Sequence, residues 1–211
     1  MDPLKRITVF IFLIFILFYQ GFSQQVPIGQ WRDELPYNKV IAITEGGSRI
    51  YCATPYAVFY YDKADNTILR LTKINGLSDI GITAINYSSA SQTLVIAYSN
   101  ANIDLIKNNI VINISDIKRK DILGNKTINR INFIGSYAYL SCGFGIVVLD
   151  VNKEEIHDTY YIGQGGNHVN VLGIVKNSDD TLFAASDKGI YKASFQDPDL
   201  VDFSRWKKDS R

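Results

Sequence analysis

The chain is 211 residues long, with 46% hydrophobic and 20% charged residues, a balance that suits a protein with a buried core and excludes a disordered or fibrous chain. Lys and Arg number 22 against 21 Asp and Glu, for a formal net charge of +1, so no global field draws in nucleic acid or an anionic membrane, and no nucleic-acid partner is expected. Tyr and Phe number 13 and 11; with abundant Ile they favour pleated, half-buried surfaces, and the fold class expected is all-β.

At the N-terminus, Lys5-Arg6 precedes an apolar run over residues 7–19, shorter than the roughly 20 residues a membrane-crossing helix needs. A positive start, a short apolar run and the small residues of Gly21-Phe22-Ser23 define a signal peptide over residues 1–23, cleaved before Gln24. An uncleaved signal anchor is the competing reading. No transmembrane segment is expected after cleavage, and no Cys stands near the cleavage site to carry a lipid. Residues 24–39 form an N-terminal entry segment.

From residue 40 the chain repeats. Apolar runs start at positions 50, 94, 138 and 182, a spacing of 44 residues three times over, which is the period of a propeller blade. Each run is preceded by a short segment with a β-branched residue at one end and Ile at the other, at 40–43, 82–85, 128–131 and 171–174. These are the expected innermost strands. Links rich in Gly, Ser, Asn and Asp join them to the second strands as hairpins. Third strands come next at 57–61, 103–106, 145–149 and 189–193, and fourth strands at 67–71, 110–114, 156–160 and 200–203. The expected organisation is therefore blade one over 40–79, blade two over 80–124, blade three over 125–167 and blade four over 168–211. A helical solenoid fits worse, because no window keeps apolar residues at helical spacing over three turns. Since propellers commonly close with about four to eight blades, these four are read as part of a larger, seven-bladed ring whose last blade leaves an uncovered apolar flank.

Two cysteines, Cys52 and Cys142, fall in strands of non-neighbouring repeats and read as separate buried thiols rather than a disulfide. No catalytic residues, metal ligands or cofactor are expected. His157 and His168 lack metal-ligand spacing to one another, and the paired carboxylates Glu154-Glu155, Asp179-Asp180 and Asp197-Pro198-Asp199 lie in predicted turns. The run Gly163-Gln164-Gly165-Gly166-Asn167 has no helix behind it to make a phosphate cradle and reads as a loop. His168, just after it, is a candidate ligand contact. One basic cluster stands out: Lys118, Arg119, Lys120 and Lys126 on the connection from the second repeat to the third, with Arg130 on the strand after it. In a propeller such connections gather at one rim of the central channel, where the cluster could dock an anionic saccharide or an acidic partner surface, Lys as a point charge and Arg as a planar fork.

The wording of the repeats carries a resemblance. Asn75-Gly76-Leu77-Ser78-Asp79 before Ile82-Thr83-Ala84-Ile85 resembles the regulator-propeller repeat. Gln30-Trp31-Arg32-Asp33-Glu34-Leu35-Pro36-Tyr37, Tyr51-Cys52-Ala53-Thr54-Pro55-Tyr56, Phe59-Tyr60-Tyr61-Asp62-Lys63, Asn102-Ile103-Asp104-Leu105-Ile106 and Asp116-Ile117-Lys118-Arg119-Lys120 together resemble the N-terminal propeller of the PorZ family of type IX secretion in Bacteroidetes. The resemblance implies an exported protein of the periplasm or outer-membrane cell surface. It further implies membership of an attachment complex with PorU, PorV and PorQ type partners, and binding of anionic lipopolysaccharide supplied to a sortase. A ligand-sensing propeller of a hybrid two-component regulator is the alternative, and a carbohydrate-active enzyme drawing carboxylates from further blades is the third reading.

Overall fold

The computed structural model describes residues 37–210; the expected signal peptide and most of the entry segment lie outside them. The described chain forms four antiparallel four-stranded sheets, each with its strands in sequence order. Blade one is β1 Ala42–Gly46, β2 Arg49–Ala53, β3 Val58–Asp62 and β4 Thr67–Leu71. Blade two is β5 Ile82–Ser88, β6 Thr93–Tyr98, β7 Ile103–Lys107 and β8 Ile110–Ile114. Blade three is β9 Ile128–Ile134, β10 Tyr137–Cys142, β11 Gly145–Asp150 and β12 Glu155–Tyr160, and blade four is β13 Val171–Lys176, β14 Thr181–Ser186, β15 Gly189–Ser194 and β16 Lys207–Lys208. The second strands start at 49, 93, 137 and 181, so the 44-residue period of the sequence is the period of the fold. First strands touch first strands from blade to blade, β1 on β5, β5 on β9 and β9 on β13, which places them innermost. This is the partial β-propeller that the repeats imply.

Blade stacking explains the strand sequences. Residues alternate between two faces of a strand, and in the middle blades both faces are covered. On β6, Leu94 and Ile96 join Tyr51, Ala53, Val58 and Tyr60 between blades one and two. Val95 and Ala97, their neighbours in sequence, join Leu140, Val147 and Leu149 between blades two and three. On β11 the same division sends Ile146 and Val148 against Val171, Ile174 and Leu182 of blade four. Strands β6, β10 and β11 are consequently continuous apolar or small-residue runs, buried along nearly their whole length. Polar side chains stitch the inner strands together: Thr83 donates to the Ile128 carbonyl at 2.7 Å, Asn86 to Ile131 at 2.9 Å and Asn129 to Val171 at 2.7 Å. The outer faces of blades one and four carry uncovered apolar residues, among them Ile43, Ile68, Leu172, Val175 and Ile190.

Three details depart from the sequence reading. The first strand of blade one begins at Ala42 rather than residue 40 and takes in Glu45 and Gly46, leaving Gly47 and Ser48 as the two-residue turn, with Gly47 at φ 61°. The fourth strand of blade four is not 200–203 but the two-residue β16, pairing Lys207 with Lys192 and Lys208 with Tyr191. The cause is local: Asp197 accepts from the Asp199 amide and Asp202 from the Ser204 amide, and Asp202 caps a one-turn 3-10 helix over Phe203–Arg205. Such side-chain bonds give the backbone an alternative to the ladder. Third, Cys52 is only half-buried whereas Cys142 is fully buried; both thiols are free, and burial pushes the Cys142 thiol well up.

Leu140 has no exposed surface and Leu172 is half-exposed on the open face of blade four. Leu140→Ala is therefore expected to cost about 2–5 kcal/mol, and Leu172→Ala no more than about 0.5 kcal/mol, in urea unfolding of the two variants. Similar losses at the two positions would contradict the assignment of faces.

Candidate functional site

In an up-and-down blade, the turn between second and third strands and the connection to the next blade share one end. The hydrogen bonds show it: the Gly143 amide donates to Thr127 at 2.9 Å, and the Asp187 amide to Asn170 at 3.0 Å. The connection from blade two to blade three lies at this rim. It begins with one helical turn, α1, over Asp116–Arg119 with Ile117 buried.

The basic residues of this connection have sorted into different tasks. Lys126 extends its ammonium to the carbonyls of Ile117, Lys118 and Lys120 at 3.3, 2.9 and 3.0 Å, closing the end of α1 where carbonyls lack partners. Lys118 bonds Asp79 at 2.7 Å. Arg119 pairs with Asp116 at 3.3 Å and keeps its side chain 72% exposed. Lys120 is exposed beside a groove against β12. Arg130 sits on β9, exposed, near the backbone of Gly173.

The partner of Lys118 explains the Gly76-Leu77-Ser78-Asp79 wording. Leu77 is buried between blades one and two. The Ser78 amide donates to Asp104 at 2.8 Å; Asp104 is fully buried and also accepts from Tyr98 at 2.6 Å and Asn113 at 2.8 Å. Asp79 accepts from Lys118, from Asn100 at 2.6 Å and from the Ile80 amide at 3.0 Å. Burial opposes ionisation of Asp79, but the bonds from Lys118, Asn100 and Ile80 outweigh it and hold the carboxyl at about 2, below its ordinary 3.8. The motif is thus a clasp that fixes two successive rim connections to each other.

His168 belongs to a second rim feature. It stacks on Tyr161, centroids 5.0 Å apart and planes 17° from parallel, and its Nδ1 lies 3.3 Å from the Leu123 carbonyl of the basic connection. Next to it a cleft of about 510 Å3 opens between the connection into blade four and the outer part of that blade. Its polar groups are Gln164, Asn167, His168, Lys188, Ser204 and Lys208; its floor includes Val169, Tyr191, Phe203 and Trp206. No carboxylate lines it, and the nearest acid to Lys188 is Asp187 at 3.7 Å, in an exposed pair. The Gly-rich run forms one 3-10 turn over Gln164–Gly166, packed on the turn at Phe203. Gly166 supplies the positive φ of 74° at this turn, beside the Phe203 ring. His157 lies elsewhere, stacked on Tyr137 at 4.9 Å. The arrangement is suited to binding: donors and cations ring an aromatic floor, with the polar contact set of an acidic, hydroxyl-rich ligand.

Asp79 carries a pH signature. A carboxyl with a depressed pKa stabilises the fold fully above its unfolded value and loses that contribution as pH falls through the folded one. Asp79→Asn is expected to cost about 1–2 kcal/mol at pH 7 and to flatten the decline of stability between about pH 4 and pH 2. Urea unfolding across that range checks it; parent-like stability at pH 7 would mean that the clasp does not hold the two connections.

Comparison with known proteins supplies the family. The family model for the PorZ N-terminal β-propeller domain of the type IX secretion system matches residues 50–207. Among solved structures, PorZ of Porphyromonas gingivalis, described as an essential surface component of that system, is similar at a TM-score of 0.72 and 28% identity, over 82% of this chain and 22% of that one. The chain therefore spans about a fifth of that relative's length. The extracellular domain of a B. thetaiotaomicron protein described as a hybrid two component system is similar in fold, with a TM-score of 0.62 and 12% identity over 86% of this chain and 24% of that one. Hydrazine synthase of Kuenenia stuttgartiensis is similar in fold at 0.57 and 14%, over 81% and 49%. No curated protein matches by sequence. The match over residues 50–207, with repeats and fold in agreement, means that this chain belongs to the PorZ N-terminal β-propeller family of the type IX secretion system.

Proposed function

We propose that this propeller is a non-catalytic, exported part of a type IX secretion attachment complex, and that its rim binds anionic lipopolysaccharide for presentation to partners of the PorU, PorV and PorQ type. One observation carries the reading: Lys188, Lys208 and His168 converge with two amides on a cleft that no carboxylate lines. Sugar rings have apolar faces for the aromatic floor and hydroxyls for Gln164, Asn167 and Ser204, while acidic groups answer the lysines. The Leu123–His168 contact makes the cleft continuous with the basic connection. Arg119, with its exposed guanidinium, is the member of that cluster best placed to extend the contact, with Lys120 and Arg130 after it; Lys118 and Lys126 hold its shape. Among the described residues no helix is long and apolar enough to cross a membrane. A ligand-sensing propeller of a two-component regulator would share the fold; the family match favours secretion.

Single exposed charge contacts contribute about 0–1 kcal/mol, so the site needs several acting on one multivalent anion. Lys188→Glu with Lys208→Glu is expected to weaken binding of purified anionic lipopolysaccharide about tenfold, with affinity falling as salt rises and the melting temperature unchanged. Arg119→Glu with Lys120→Glu should produce a smaller loss. Binding that ignores both charge reversals and salt would place the lipopolysaccharide site outside this rim.

A further inference from the structure

The cationic cleft has a neighbour of opposite character. Tyr161, whose ring stacks on His168, also lines a groove of about 320 Å3 between α1 and β12. Its walls are apolar, with Ile117, Ile122, Phe144, Val147 and Ile156 beside Tyr161. Its rim holds three carboxylates, Asp116, Glu154 and Glu155, against one cation, Lys120. Asp116 and Glu155 are engaged only in exposed pairs, with Arg119 at 3.3 Å and Lys153 at 3.8 Å. Glu154 forms no ion pair among the described residues, and it occupies a turn at φ 61° that keeps its side chain exposed. Strand β12 is the outermost of its sheet, so its far edge has no strand partner among the described residues.

We propose that this groove seats one large apolar side chain of a partner polypeptide whose adjoining residues are basic. The volume lies at the small end of ligand sites, about 300–1,000 Å3, and suits a single anchoring side chain. Desolvating that side chain against Ile117, Phe144 and Ile156 supplies affinity. Glu154, with no ion pair among the described residues, and Asp116 and Glu155, held only in exposed pairs that a ligand cation can replace, favour Lys or Arg beside the anchor over a fatty acid or phosphate, whose negative head would face these carboxylates. An extended segment entering here runs along the open edge of β12, where main-chain pairing can add to the side-chain contact. The site rests on the proposed function only in taking a protein as partner, and it lies across the Tyr161–His168 stack from the Lys188–Lys208 cleft, sharing only Lys120 with the proposed extension of the lipopolysaccharide contact.

The test is an NMR titration of the 15N-labelled chain with the peptide acetyl-Gly-Phe-Arg-Lys-Gly-amide. Saturable shifts are expected at the amides of Ile117, Ile122, Ile156 and Tyr161, lost when Gly replaces Phe in the peptide. Glu154→Lys with Glu155→Lys, both exposed and confirmed as folded in the same spectra, should weaken binding about fivefold or more. Lys188→Glu with Lys208→Glu should leave it unchanged, which separates this site from the other. No saturable shift at millimolar peptide, or binding indifferent to the two glutamates, would overturn the proposal. So would sodium octanoate moving these amides where the peptide does not, a result that would make the groove an acyl-chain site.

Discussion

Face-to-face packing between successive blades is the interaction on which everything else in this molecule rests. A lone four-stranded sheet has no second layer against which to bury its apolar face. Here each middle blade divides its side chains between two interfaces, so that Leu94 and Val95, adjacent in sequence, lie in different cores. The burial of one blade thus depends on the next, as in other repeat arrays whose stability is a sum of units and nearest-neighbour contacts.

That dependence also builds the rim. Because consecutive blades are held at fixed spacing, the connections between them are brought side by side and can bond to one another. Asp79 leaves the first connection and meets Lys118 of the second; Leu123 of the second meets His168 of the third. Tyr161 and His168 form a thin wall between an acidic, apolar groove and a cationic cleft. On the proposed readings the cationic cleft at the rim and the acidic groove, which runs from the rim along β12, would place a glycan and a protein segment side by side.

Much of the fold was legible in the sequence because the most constrained strands announce themselves. The second strands are buried on one or both faces and therefore read as apolar runs, and their starts recur every 44 residues in sequence and structure alike. Blade four's last strand was not legible, since Leu200 is apolar and buried yet belongs to a segment whose aspartates bond its own backbone. The site was only partly legible. Charge density drew attention to the basic connection, but nothing local to Lys118 shows that its partner lies 39 residues earlier, nor that Lys126 is spent on three carbonyls. His168 is marked in the sequence only by the Gly-rich run before it. Lys188 and Lys208 carry no charge cluster or motif to mark them, although the 44-residue repeat puts Lys188 in the turn between second and third strands, which is a rim position.

Native-state hydrogen exchange tests the packing between blades most directly, because it reads the stability of each strand separately. If shared interfaces hold the molecule together, the slowest amides belong to β6, β7, β10 and β11, whose two faces are both covered. Those of β1, β4, β13 and β16 should exchange faster, their blades having one open face. Equal protection across all four blades, or slowest exchange in blade one or four, would show that the blades are stable singly and would contradict the dependence on which the rim and both its sites are built.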